Sequence, residues 1–173
     1  MRLELYTVDS KYFNYLREFE PRVPYVKKNR PFIGIILKIH YKNYFAPLGS
    51  PKEKHKEMKK QKDLIKIKNG ELGVINFNNM IPIPISRCKK IDIDHIPNPK
   101  YKILLKDQMT WCNIHINEII ETAEKLYYLI CYSDKPNTML KNRCCNFRIL
   151  ERKCIEYMKE NSLHEEEFLY KVS

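Results

Sequence analysis

The stretch Phe32-Ile33-Gly34-Ile35-Ile36-Leu37-Lys38-Ile39-His40-Tyr41-Lys42-Asn43-Tyr44-Phe45-Ala46-Pro47-Leu48-Gly49-Ser50-Pro51-Lys52 decides the reading of this chain. Phe32 to Ile39 is rich in β-branched residues and mostly apolar. Tyr41-Lys42-Asn43-Tyr44 then leads into Phe45-Ala46-Pro47, so the pattern predicts a hairpin at the edge of a barrel or sheet. Leu48-Gly49-Ser50-Pro51-Lys52 follows as a turn signal, because Gly and Pro each fix what the backbone can do there.

Upstream, alternation over Leu3, Leu5 and Thr7 predicts a short strand. Asp9 or Ser10 is placed to cap a helix over Lys11 to Phe19, with Tyr12, Tyr15, Leu16 and Phe19 on one apolar face and Pro21 and Pro24 ending it. Downstream, Leu64 to Lys68 alternates, Asn69-Gly70 predicts a tight hairpin turn, and Leu72 to Phe77 returns. Ile81-Pro82-Ile83-Pro84-Ile85 reads as an edge strand or extended segment, since each proline removes a ladder donor. From Tyr101 the period changes to three and four. Leu105, Met109, Cys112, Ile116, Ile119, Ile120, Ala123, Leu126, Tyr127 and Ile130 predict one long helix or two, with a break near Asn113. Asn146 is placed to cap a last helix carrying Phe147, Leu150, Cys154, Tyr157 and Met158. Short strands with one helix, then a helical half, predict an α+β fold built on a small, strongly curved sheet or barrel.

The chain of 173 residues reads as a single domain, 1–173. With 43% hydrophobic and 12% aromatic residues it has the material for a core. Four glycines assemble no Gly-rich phosphate loop. No signal peptide and no membrane span are expected, which points to the cytoplasm. There six cysteines without a Cys-x-x-Cys pair stay thiols, and vicinal Cys144-Cys145 reads as two small apolar residues. The net charge is +11, and its distribution is more informative than its size. Lys27 to Lys68 holds thirteen basic residues against three acidic ones, while the segments on either side are nearly neutral. Such a concentration fits a polyanion-binding surface or a solvated lysine-rich loop. Tyr25, Tyr41, Tyr44 and Phe45 flank it, and aromatic residues beside cations favour unpaired nucleic acid.

No His, Asp and Glu cluster has metal-ligand spacing, so neither a metal nor a cofactor is expected. Metal-free RNA cleavage instead needs help for the ribose 2′-OH proton, positive charge for the phosphorane and a donor for the leaving oxygen. Arg30 and Lys52 are candidates to bind the phosphate, Ser50 to position a proton, and His55 titrates near neutral pH. Taken alone, Ser50 before Pro51 also fits a plain turn residue, and His55 between Lys54 and Lys56 an exposed helix residue.

In order along the chain, Leu5-Tyr6-Thr7-Val8-Asp9-Ser10-Lys11-Tyr12, Phe32 to Leu37, Tyr44-Phe45-Ala46-Pro47-Leu48, Ser50-Pro51-Lys52 with His55, Gly73-Val74-Ile75-Asn76 and Met80-Ile81-Pro82-Ile83-Pro84 resemble the ToxN/AbiQ family, which includes the CptN and TenpN groups. These are toxins of type III toxin–antitoxin systems. The resemblance implies a curved antiparallel β-barrel related to MazF and Kid, elaborated by helices. It also implies metal-independent cleavage of A-rich RNA to a 2′,3′-cyclic phosphate and a 5′-OH in defence against phage. The implied partners are cellular or phage mRNA as substrate and a repetitive, pseudoknotted antitoxin RNA, which the toxin processes and which then inhibits it in a closed protein–RNA assembly. On this resemblance Ser50, Lys52 and Arg30 form the catalytic group. Tyr25, Lys27, Lys28, Gly49, Lys54, His55, Lys56, Lys59 and Lys60 are expected to contact RNA. Two departures stand out. Gly49 replaces a threonine of some relatives, so a backbone N–H or another side chain must substitute for its hydroxyl. Arg30 replaces a lysine and can clamp a phosphate but not exchange a proton. The alternative readings are a non-catalytic RNA-binding module and, with no recognition helix to support it, a DNA-binding regulator.

Overall fold

The computed structural model describes residues 2–25, 32, 34–134 and 138–164. Strand β1 (Leu5–Val8) leads into helix α1 (Ser10–Phe19), whose first turn is capped by the Asp9 carboxylate accepting from the Lys11 N–H at 2.8 Å. The hairpin follows as β2 (Gly34–Ile39) and β3 (Lys42–Gly49). Its turn is His40-Tyr41, both at positive φ (49° and 63°), the primed geometry that matches strand twist. Next come helix α2 (Glu53–Glu57) and strands β4 (Leu64–Lys66), β5 (Val74–Asn76), β6 (Ile81–Pro82) and β7 (Cys88–Lys90). The helical half is α3 (Pro99–Ile114), α4 (Ile116–Cys131), α5 (Thr138–Arg143) and α6 (Phe147–Glu160).

The seven strands form one antiparallel arrangement in the order β4-β5-β3-β2-β1-β7, with β6 added to β3. Among the described residues this path is open at β4 and β7, so the pairings do not close the expected barrel. Strand β3 organises it. It pairs with β2 from Lys42 to Pro47, with β6 at Tyr44 and Phe45, and with β5 at Leu48 and Gly49. The predicted proline-rich edge is β6, fully buried and paired with β3. Helices α1 and α6 cover the sheet, and the Tyr12 hydroxyl donates to the Pro82 carbonyl at 2.8 Å.

The predicted helix break falls at His115, between α3 and α4. Asn113 beside it holds the N-terminus, accepting from the Leu3 N–H at 2.8 Å and donating to the Leu3 carbonyl at 3.1 Å. Asn146 caps α6 as predicted, accepting from the Ile149 N–H at 3.2 Å. All six cysteines are free thiols. Burial pushes Cys112, Cys144, Cys145 and Cys154 up to about 12, so they are packing groups and not nucleophiles. Among the described residues no helix is long and apolar enough to cross a membrane.

The Asn69-Gly70 turn differs from expectation. Strands β4 and β5 close at Lys66 and Val74, and residues 67–73 form a longer loop in which Lys68, Asn69, Gly70 and Gly73 all have positive φ. The longer loop buries Ile67 completely and lays Gly70 against the His55 backbone.

Candidate active site

Ser50 leaves the end of β3, where Gly49 is paired with Val74, and Lys52 immediately precedes α2. Both are exposed. The strand end that carries them is held by an unusually close backbone approach. A Cβ at Gly73 would lie 2.0 Å from the Gly49 carbonyl oxygen and 3.2 Å from the Pro51 nitrogen, and Gly73 has φ +101°. Glycine is required there on both counts. The Ser50 backbone is therefore fixed by the β5 loop and not left as a free turn.

Gly49 has its own vacancy. A Cβ there would meet Val74 Cγ2 at 2.8 Å and the Asn76 amide nitrogen at 3.3 Å. The Asn76 amide thus stands beside the place that a residue-49 hydroxyl would take, and it is a side chain that the sequence reading did not single out. Its signal was present, as the last residue of the Gly73-Val74-Ile75-Asn76 block.

Helix α2 separates its charges from its imidazole. Lys54 and Lys56 face solvent, while His55 is only 5% exposed. This corrects the expected exposed helix residue: His55 is an inward anchor, so its imidazole is not available for direct contact with RNA in this structure. Its Nδ1 has no hydrogen-bond partner among the described residues. Burial, followed by repulsion from Lys54 and Lys52, pushes its pKa below the ordinary 6.5, so it is neutral at pH 7. The helix end is secured by Lys66, whose ammonium donates to the carbonyls of Lys56 at 2.9 Å and Met58 at 3.0 Å.

Beyond α2 the chain carries exposed Lys59, Lys60 and Lys62. Among the described residues no carboxylate is within ion-pair distance of Lys52, Lys54, Lys59, Lys60 or Lys62, while Lys56 pairs with exposed Glu53 at 3.0 Å. The segment ends at buried Asp63, held by Arg143 of α5 through two bonds of 2.9 and 3.1 Å. Not all of the basic excess belongs here, because Lys42 pairs with Glu151 of α6 and Lys68 with Glu71. The sites expected at Lys27, Lys28 and Arg30 lie outside the described residues. Tyr25 is 65% exposed, with the Arg17 guanidinium 5.4 Å from its ring centre. Gly49, Ser50 and Lys52 thus come together at one strand end, and the segment that follows, a lysine ledge in the chain, exposes Lys54, Lys56, Lys59 and Lys60.

The arrangement offers a hydroxyl on a fixed backbone, an amide beside Gly49 and several exposed ammonium groups, which suits an anionic phosphodiester. The family described as "Toxin ToxN, type III toxin-antitoxin system" matches residues 4–155. The endoribonuclease ToxN of Bacillus thuringiensis subsp. kurstaki is 32% identical over 170 residues, covering 94% of this chain and 88% of its own. The endoribonuclease AbiQ of Lactococcus lactis subsp. lactis is 34% identical over 174 residues, covering 94% and 93%. A solved structure from a bacterial type III toxin–antitoxin system, in which a non-coding RNA pseudoknot selectively inhibits the toxin, superimposes with a TM-score of 0.79 at 30% identity. It covers 92% of this chain and 99% of the solved one.

Proposed function

The chain belongs to the ToxN family of type III toxin–antitoxin toxins, and from that premise we propose a mechanism in which this endoribonuclease cuts RNA through the substrate's own 2′-hydroxyl. The observation that carries the proposal is the packing of Gly73 onto the Gly49 carbonyl, which holds the Ser50 backbone at the head of an exposed, lysine-rich segment. The ribose 2′-oxygen attacks the adjacent phosphorus as the bond to the 5′-oxygen breaks. A 2′,3′-cyclic phosphate and a 5′-OH result. Ser50 accepts the hydrogen bond of the 2′-OH and relays its proton toward solvent, and the leaving 5′-oxygen takes up a proton in return. The Lys52 ammonium, with Arg30 as a second clamp, stabilises the charge that grows on the phosphorane. The Asn76 amide replaces the hydroxyl absent at Gly49 by donating to a phosphate oxygen. His55 touches no RNA; it fixes α2 and so the position of Lys52.

The substrates in this reading are A-rich cellular or phage mRNAs. The inhibitor is a repeat pseudoknot RNA that the enzyme processes itself and that binds the same basic ledge in a closed protein–RNA assembly in the cytoplasm. A curved sheet related to the MazF and Kid barrels fits the way β3 carries both β6 and β5 opposite β2.

The test is to incubate RNA-free protein and Ser50→Ala with a mixed RNA pool in excess EDTA and to map cut sites and end chemistry. The expected result is cleavage by the wild type with cyclic-phosphate ends, a loss of about 10³-fold or more in Ser50→Ala, and about tenfold in Asn76→Ala. Cleavage retained by Ser50→Ala would overturn the mechanism. Tight RNA binding by both proteins with no cleavage by either would leave an RNA-binding module.

A further inference from the structure

An open cleft of about 830 Å³ lies where the far end of the lysine ledge meets the last turns of α4. Its walls include Lys60, Lys62, Lys125, Tyr128, Leu129 and Tyr132. Tyr128 and Tyr132 are 52% and 58% exposed, a large apolar area to leave in water one helical turn apart.

These rings are nonetheless ordered from behind. The His40 ring lies 4.9 Å from Tyr128 and 6.3 Å from Tyr132, the two tyrosines are 5.7 Å apart, and the Arg148 guanidinium sits 5.1 Å from the Tyr132 ring centre. A platform set in advance loses little side-chain entropy when a flat ligand stacks on it. The lining carries three lysines and no carboxylate; the acid in contact is exposed Glu121, paired with Lys125 at 3.1 Å. Cations beside exposed rings suit a strand with both phosphates and unpaired bases. The cleft is tied to the candidate active site along the chain, because Lys60 follows Ser50 by ten residues through α2 and Lys59.

We propose that this cleft is a second RNA subsite, in which unpaired nucleotides of the substrate strand flanking the scissile bond stack on Tyr128 and Tyr132 while Lys60 and Lys62 hold their phosphates. The proposal rests on the endoribonuclease reading of the Ser50 site, and it adds length dependence to that reading. RNA that spans only the Ser50 site makes no use of the cleft. RNA with a single-stranded flank gains affinity from it.

The experiment compares two RNAs with the same cleavage sequence, one trimmed to the nucleotides around the cut and one with unpaired flanks. Steady-state cleavage is combined with anisotropy binding of their 2′-deoxy forms. For the wild type, KM and Kd of the flanked RNA are expected to be about tenfold or more below those of the short one. Tyr128→Ala with Tyr132→Ala removes that advantage and leaves kcat the same for both RNAs. Tyr128→Phe with Tyr132→Phe keeps the advantage, because stacking needs the ring and not the hydroxyl. Lys60→Gln with Lys62→Gln flattens the salt dependence of binding to the flanked RNA.

Equal Kd values for the two RNAs in the wild type, or a length advantage that survives both alanines, overturn the proposal. A loss seen with a folded pseudoknot RNA but not with the linear flanked RNA also overturns it, and assigns the cleft to the inhibitor. If the wild type cuts neither RNA, the endoribonuclease reading fails, while the binding arm still decides the cleft.

Discussion

The ledge from Gly49 to Lys62 and the seam between the sheet and α6 use charge in opposite ways. On the ledge, Lys52, Lys54, Lys59, Lys60 and Lys62 stand exposed without carboxylate partners among the described residues. In the seam, the carboxylates of Glu151 and Glu20 are fully bonded. Glu151 accepts from the Tyr44 hydroxyl at 2.6 Å, the Tyr127 hydroxyl at 2.8 Å and the Lys42 ammonium at 2.9 Å. Glu20 is 2% exposed and accepts from the Arg22 side chain at 2.7 and 2.8 Å and from the Asn146 N–H at 2.9 Å, which ties the end of α1 to the start of α6. Unpaired cations add little to stability and are free for a polyanion, whereas a buried, fully bonded carboxylate fixes which elements meet. Substitutions in the two regions should therefore separate activity from stability.

Gly73→Ala is the sharpest way to break that separation, because Gly73 belongs to the scaffold yet touches the backbone of the site. Its Cβ would collide with the Gly49 carbonyl, and a non-glycine φ of +101° adds strain. We expect cleavage to fall below detection together with a stability loss of about 2 kcal/mol or more, measured by denaturant unfolding beside RNA cleavage. Full activity in Gly73→Ala would show that the strand end is not held as described.

Glu151→Ala should affect the seam alone. It leaves the Tyr44 and Tyr127 hydroxyls and Lys42 without their acceptor, and the expected cost is about 1–3 kcal/mol in chemical denaturation. Turnover per folded molecule at low temperature should match the wild type. A fall in turnover larger than the folded fraction explains would couple the seam to the site.

Acid should loosen the two regions in sequence, which is the smallest effect and the finest test. The His55 pKa is lowered in the fold, so the unfolded chain takes up its proton first and stability around α2 declines as pH falls below 6.5 toward the depressed value. Burial alone would raise the Glu20 carboxyl, but hydrogen bonds from Arg22 and Asn146 hold it below 4.5. Its stabilisation is therefore complete above 4.5 and is lost as pH falls through the lower folded value. Hydrogen exchange should show α2 amides opening as pH falls below 6.5 while α6 stays protected, and His55→Gln should remove the slope at α2. Simultaneous opening of both helices would contradict this order.

Much of this organisation was already legible from local chemistry. Asp9 and Asn146 announced their helix starts because a short polar side chain can satisfy a free N–H only there. The hairpin of β2 and β3 was visible from its apolar runs, and the break between α3 and α4 from the interruption of a helical period. Arg143, which clamps Asp63 from 80 residues away, gave no such signal. Nor did β7, whose Cys88-Lys89-Lys90 carries no strand pattern and is a strand because β1 pairs with it.

By itself, the sequence determined the α+β class and the family, since these follow from periodicity, capping and an ordered set of motifs that act over a few residues. Tertiary structure alone decided that His55 turns inward, that Asn76 stands beside Gly49, that Gly73 must be glycine and that Lys60 lines one cleft with Tyr128 and Tyr132. Each of these depends on which distant backbone or ring comes within a few ångströms, and such proximity is fixed by packing the whole chain and not by any local run of residues.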